Sequence, residues 1–138
     1  MHTAEHILNQ TMVRIFGCGR CFSAHIEEKK SKCDYYFEKE LSEDDVKEIE
    51  QKVNEVISSK VDITEEIIDK TEAEVKYNLK RLPKDDIDKI RIIKVGDYDA
   101  CPCIGEHIKN TSEIGEFKII SSSFNDGILR IRYKLIQD

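Results

Sequence analysis

The chain has 138 residues, 39% of them hydrophobic, and its 22 Lys and Arg against 28 Asp and Glu give a formal net charge of −6. No apolar run approaches the roughly 18 residues of a membrane-spanning helix, and the start lacks the basic-then-apolar order of a secretory signal. Five cysteines without such a signal point to a reducing compartment where thiols are free or metal-bound. The expectation is a single cytoplasmic domain over residues 1–138 with no membrane partner, whose contact with any nucleic acid depends on a local cationic patch.

From Thr3 to Phe16 the apolar residues Ala4, Ile7, Leu8, Met12, Val13 and Ile15 recur at helical intervals, and Gly17 stands where a C-terminal cap belongs. The segments Cys21–Glu28 and Cys33–Glu38 read as two strands of a hairpin around the polar "EKKSK". Ser42, followed by Glu43, Asp44 and Asp45, predicts a helix start, and Val46, Ile49, Val53, Val56 and Ile57 carry its apolar stripe to about Ser58. "VDITEEII" alternates as a strand should, and Thr71 with Glu74 forms a capping box for a short helix that ends before Pro83. "IRIIKVGDYDAC" reads as a strand and a turn. "EFKIISSSF" and "ILRIRYKLI" read as strands joined at Asn125-Asp126-Gly127, and in the second Leu129, Ile131, Tyr133 and Leu135 share one face while Arg130, Arg132 and Lys134 share the other. This order predicts an α+β fold, a mostly antiparallel sheet with packed helices.

Three of the four histidines fall in two stretches of matching spacing: His2 and His6 in "MHTAEHIL", and Cys103 and His107 in "CPCIGEHI". An interval of four on a helix puts two side chains on one face. Together the pairs supply four imidazole or thiolate ligands of the kind zinc takes in mixed tetrahedral sites. The helical metalloprotease motif needs Glu directly after the first His, and Thr3 occupies that place. Cys18-Gly-Arg-Cys21 has the spacing of a zinc knuckle, which Cys33 or Cys101 would have to complete; two free thiols at a helix end is the simpler reading. His25, on a strand, reads as an ordinary surface residue or as a support behind a ligand, not as a ligand itself.

The pairing of "HTAEHIL" with a downstream Cys-x3-His, followed by "TSEIGEFKIISSS" and "GILRIRYKL", resembles the editing domain of alanyl-tRNA synthetase, and most of all the short free-standing editing proteins called AlaX. The resemblance spans nearly the whole chain; the same domain type also accompanies threonyl-tRNA synthetase. It implies that His2, His6, Cys103 and His107 hold zinc and that the reaction is hydrolysis of Ser or Gly wrongly esterified to alanine tRNA, with the mischarged acceptor end as partner. It places a hydroxyl residue near the amino-acid pocket, which at the matching position is Ser23 in "CFSAH". One departure is "CIGEH" where the synthetases carry "CGGTH".

The chemistry is coherent with that implication. An aminoacyl ester is already activated, so its hydrolysis needs a nucleophilic water, charge relief on the carbonyl and a selective pocket; zinc lowers the pKa of a bound water to about 7 and polarises carbonyls. A pocket built for alanine rejects serine weakly, which calls for a second, editing site. There the Ser23 hydroxyl would bond the serine hydroxyl and leave alanine without that contact. Two other readings stay open: a zinc-stabilised RNA-binding module without turnover, and a deacylase of Ser-charged threonine tRNA. Candidate RNA contacts are the Arg130, Arg132, Lys134 face, the Lys80, Arg81, Lys84 loop and the Lys29, Lys30, Lys32 turn.

Overall fold

A computed structural model of the chain describes residues 2–27, 30–69, 71–72, 89–102 and 108–136. The first helix, α1 (His2–Phe16), ends where Gly17 takes a φ of +69° and donates its N–H to Val13 O, a conformation that costs glycine little. Strands β1 (Ser23–Ile26) and β2 (Lys30–Tyr36) pair antiparallel. The second strand therefore starts at Lys30, three residues before the expected Cys33. Pairing outweighs the polarity of Lys30-Ser31-Lys32, because Ser31 is buried and its hydroxyl accepts from Glu27 N and donates to Glu27 O, closing the hairpin.

Helix α2 (Glu43–Ser58) begins at the anticipated Ser42 cap, where Ser42 Oγ accepts from Asp45 N and Asp45 Oδ2 accepts from Ser42 N. It buries Ile49, Val53 and Ile57, each contributing about 1.5–3 kcal/mol. Strands β3 (Ile63–Asp69), β4 (Lys89–Val95) and β5 (Asp99–Pro102) form one antiparallel sheet in the order β3-β4-β5. β5 replaces part of the turn expected at "DYDAC": its four residues, Asp99–Pro102, carry no alternation, and it pairs because Gly96, Asp97 and Tyr98 turn the chain back along β4. Most of the helix anticipated from Thr71 lies outside the described residues.

After a 3-10 turn at Thr111–Glu113 come β6 (Glu116–Asn125) and β7 (Ile128–Ile136), joined as expected through Asp126 and Gly127, both at positive φ. The second sheet runs β1-β2-β7-β6, with a bulge between Ile119 and Ser121. All strand pairs are antiparallel, and the fold is α+β. The main core lies between the helices and one face of the four-stranded sheet: Ile7, Leu8 and Met12 from α1, Tyr35 from β2, Phe117 from β6, and Leu129, Ile131 and Tyr133 from β7. Val95 and Tyr98 bring the smaller sheet onto the same core. No described helix is long and apolar enough to cross a membrane.

Candidate functional site

Helix α1 is not simply amphipathic. Beside its apolar stripe it buries Thr3, Glu5, His6, Asn9 and Thr11, because one side meets the β1–β2 hairpin and another meets the β4–β5 turn. Buried polar groups need partners, and the partners define the site.

Toward the hairpin, Asn9 Oδ1 accepts from Tyr35 Oη at 2.7 Å and from Cys21 N at 3.2 Å, while Asn9 Nδ2 donates to Glu5 Oε1 at 3.5 Å. Cys21 Sγ donates to the same Glu5 oxygen at 3.6 Å. The Cys33 thiol is pushed far above its ordinary range by its hydrogen bond with Cys21 and by burial, and burial likewise holds the Tyr35 hydroxyl protonated. Cys18 faces elsewhere, its Sγ toward Met12 O at 3.6 Å, and burial raises its pKa. Cys18, Cys21, Cys33 and Cys101 are not in disulfides. No group of three or more His, Cys, Asp or Glu side chains is gathered for a metal among the described residues; the thiols of Cys18 and Cys21 face different partners, Met12 O and Glu5 Oε1.

Toward the turn, Thr11 Oγ1 and Tyr98 Oη lie 2.6 Å apart, Arg14 Nη2 donates to Tyr98 O at 2.9 Å, and the Arg14 guanidinium sits 4.3 Å from the Tyr98 ring centre. Tyr98 thus fixes the start of β5 against α1. The next residue, Asp99, is buried and takes two hydrogen bonds from Arg20, Nη1 to Oδ1 at 2.6 Å and Nη2 to Oδ2 at 3.2 Å. Its Oδ2 also lies 3.5 Å from Nδ1 of His6, itself buried. Burial alone would raise the Asp99 pKa, but His6 and Arg20 prevail and hold it below the usual carboxylate range. The Arg20 guanidinium stays charged despite its own desolvation, through Asp99 first and then Cys101.

Of the four expected zinc ligands, His6 is therefore placed in detail. His2 opens α1, and its side chain, Cys103 and His107 lie outside the described residues. The placed part fits a metal: a buried imidazole whose Nδ1 faces a carboxylate at 3.5 Å leaves Nε2 as the nitrogen that could ligate, the backing that metal-bound histidines commonly have. Asp99 sits on the strand that leads into Cys103, so one segment would carry both a ligand and the carboxylate behind another.

Ser23 is exposed, the first residue of the edge strand β1. It stands opposite Asp34, on the sheet face away from α1, while its neighbour Ala24 packs on the core. The register thus separates Ser23 from His6 by the thickness of the sheet. His25 is exposed and pairs with Glu27 at 2.8 Å, as an ordinary surface histidine does. Asp99, Arg20 and the buried polar set of α1 escaped the sequence reading. The available signal was an acidic residue four before Cys103 and an Arg between two cysteines.

Comparison with known proteins gives two findings. Residues 90–132 match the family described as "Threonyl and Alanyl tRNA synthetase second additional domain". Over its length the chain is similar to alanine-tRNA ligases: 36% identical to that of Aeropyrum pernix across 96% of this chain, 32% to that of Methanococcus maripaludis strain C7 across 96%, and 34% to that of Fervidobacterium nodosum across 94%. The chain spans about 15% of the length of each of these relatives.

Proposed function

We propose that this chain, an AlaX-like relative of the alanyl-tRNA synthetase editing domain, is a cytoplasmic hydrolase that removes Ser or Gly from mischarged alanine tRNA and depends on zinc. The relatives support the tRNA connection. The observation that carries the hydrolytic reading is the buried His6 with Asp99 behind it, on the strand leading into Cys103 and His107.

In this reading His2, His6, Cys103 and His107 would hold the ion, which would supply Lewis acidity toward an ester carbonyl. The other tasks belong to the chain. Asp99 and Arg20 fix the His6 ring in one orientation; Tyr98, clamped by Thr11 and Arg14, fixes Asp99. Asn9 and Glu5 tie α1 to the β1–β2 hairpin, so that the start of β1 is held beside the helix. Ser23, at that start, stands on the opposite sheet face, where its hydroxyl meets the RNA end that rounds the edge of the sheet and not the amino acid whose ester lies at His6. The reaction needs one water, which adds to the ester carbonyl, and it releases the free amino acid and the terminal ribose hydroxyl.

The test is deacylation of Ser-, Gly- and Ala-charged alanine tRNA, with and without a chelator. Chelator-sensitive loss of Ser and Gly with Ala spared is expected. Zinc-loaded protein that binds tRNA and hydrolyses none of the three would instead identify a zinc-stabilised RNA-binding module. Because the matched family description also names threonyl-tRNA synthetase, Ser-charged threonine tRNA belongs in the same assay; preference for it would move the substrate.

A further inference from the structure

The face of the four-stranded sheet turned away from α1 carries its cations in rows. Lys30, Lys134 and Lys118 stand directly opposite one another across β2, β7 and β6, and Lys32 stands opposite Arg132. Like charges directly opposite destabilise a strand pair, and here they do so in a chain of net charge −6. A face shaped for solubility alone would interleave signs, as β3 and β4 do where Arg91 meets Glu65 and Lys94 meets Glu66.

The carboxylates near these rows are few. Asp34 is clamped by Arg130 through two hydrogen bonds at 2.7 and 2.9 Å, and Glu27 is held by His25. Glu116 lies at the first position of β6. Among the described residues none of them pairs with Lys30, Lys32, Lys118, Arg132 or Lys134. The excess is felt on the face itself: Arg130 first, then the fields of Lys32 and Arg132, keep the Asp34 carboxyl below its ordinary range.

At one end of the face, next to Ser23, Phe22 and Tyr36 stack with ring centres 4.1 Å apart and planes 16° from parallel. Tyr36 remains 70% exposed and Phe22 36%. Neither belongs to the core, and nothing in the packing explains two stacked aromatic rings in solvent. Bases stack on exposed aromatic rings with little regard to sequence, whereas an acidic peptide needs no such platform.

We propose that this face is the RNA-binding surface: the cation rows hold backbone phosphates and the Phe22–Tyr36 pair stacks an unpaired base near the 3′ end. The inference rests on the editing reading only for which RNA is bound. β1 is a four-residue edge strand, so an end stacked beside Ser23 has a short path around that edge to the α1 side.

The test is fluorescence anisotropy with uncharged alanine tRNA across a salt series, on zinc-loaded protein. Lys32→Glu with Arg132→Glu should weaken binding at least tenfold and reduce the slope of log affinity against log salt by about two. Phe22→Ala with Tyr36→Ala should weaken binding by about five- to a hundredfold with the slope unchanged. If the first pair melts early, Lys118→Glu with Lys134→Glu, both exposed, carries the same charge test. Wild-type affinity and slope in the charge-reversed and aromatic variants would overturn the proposal, as would displacement of the tRNA by polyglutamate at equal charge concentration. Deacylation by wild type together with unaffected variants sinks this inference and leaves the editing reading standing. Binding through this face without deacylation of any charged tRNA does the reverse.

Discussion

Replacing Asp99 by Asn tests the buried pair on which the site stands. The Asp99 side chain is 1% exposed and that of Arg20 29%. Removing one charge of a buried pair leaves the other uncompensated, which costs about 3–5 kcal/mol in deep sites. Arg20 keeps some water, so the expected loss is nearer 2–3 kcal/mol, or about 5–10 °C in melting temperature for a chain of this size. The measurement is unfolding followed by circular dichroism on protein stripped with chelator, so that metal binding does not enter. Arg20→Met should cost a similar amount, since it leaves a buried carboxylate facing only His6, and the double variant should lose less than the sum of the two. A change below about 0.5 kcal/mol for Asp99→Asn, with additive behaviour in the double variant, would refute the pair. On the loaded protein Asp99→Asn should also weaken zinc binding about 10- to 100-fold through the freed His6 ring; unchanged affinity would show that Asp99 does not orient His6.

His6→Ala and Cys103→Ala should each remove zinc and activity together, with full activity in a metal-free variant as the contrary result; His2→Ala, at the first position of α1, should be milder in zinc content. Ser23→Ala should lower hydrolysis of Ser- and Gly-charged tRNA by the same modest factor, that of one hydrogen bond to the RNA end of about 0.5–1.5 kcal/mol; a loss confined to the Ser-charged substrate would show that Ser23 reaches the amino acid and that its outer-face placement is wrong. Gly96→Ala places a methyl group against Val61 Cγ1 at a φ of +51° and should destabilise by about 1–3 kcal/mol in urea unfolding; unchanged stability would count against the packing of Val61 on this turn. Because the Asp34 carboxyl is depressed in the folded state, its contribution is complete above about pH 4, the ordinary carboxylate value, and is lost as pH falls through the folded one. Asp34→Asn should therefore flatten the acid limb of the stability curve below pH 4, and an unaltered limb would count against the Arg130 clamp.

Much of the fold was legible because local signals agreed with tertiary ones. The Ser42 capping box, the Gly17 cap, the Asp126-Gly127 turn and the alternation of Leu129, Ile131 and Tyr133 each state one conformation, and packing asks for the same. The start of β2 was misread because Lys30, Ser31 and Lys32 look like turn residues until Ser31 finds Glu27 across the hairpin. β5 was missed because four residues give pairing no periodic trace. In the candidate site, His6 stands out by its spacing to His2, but Asp99 shows only through its distance to His6, which no interval along the chain encodes.

The separation of Ser23 from His6 constrains how an editing substrate must lie. Ser23 shares its sheet face with Asp34 and Arg130, and His6 lies with the core on the other side. One small substrate cannot touch both through the sheet, so a molecule that uses both must bend around β1. That strand is short, at the edge, and begins where Cys21 ties to Asn9 and Glu5 of α1. The same edge carries the exposed Phe22–Tyr36 stack. An RNA whose backbone is held on the outer face and whose last base stacks on that pair would deliver its esterified amino acid past Ser23 toward His6. Phe22→Ala with Tyr36→Ala should then lower kcat/KM on Ser-charged tRNA far more than on a minimal aminoacyl ester lacking the RNA, because the small ester reaches the α1 side without the platform. An equal fall on both substrates would mean that the aromatic pair shapes the α1 side itself, and that the path around β1 is wrong.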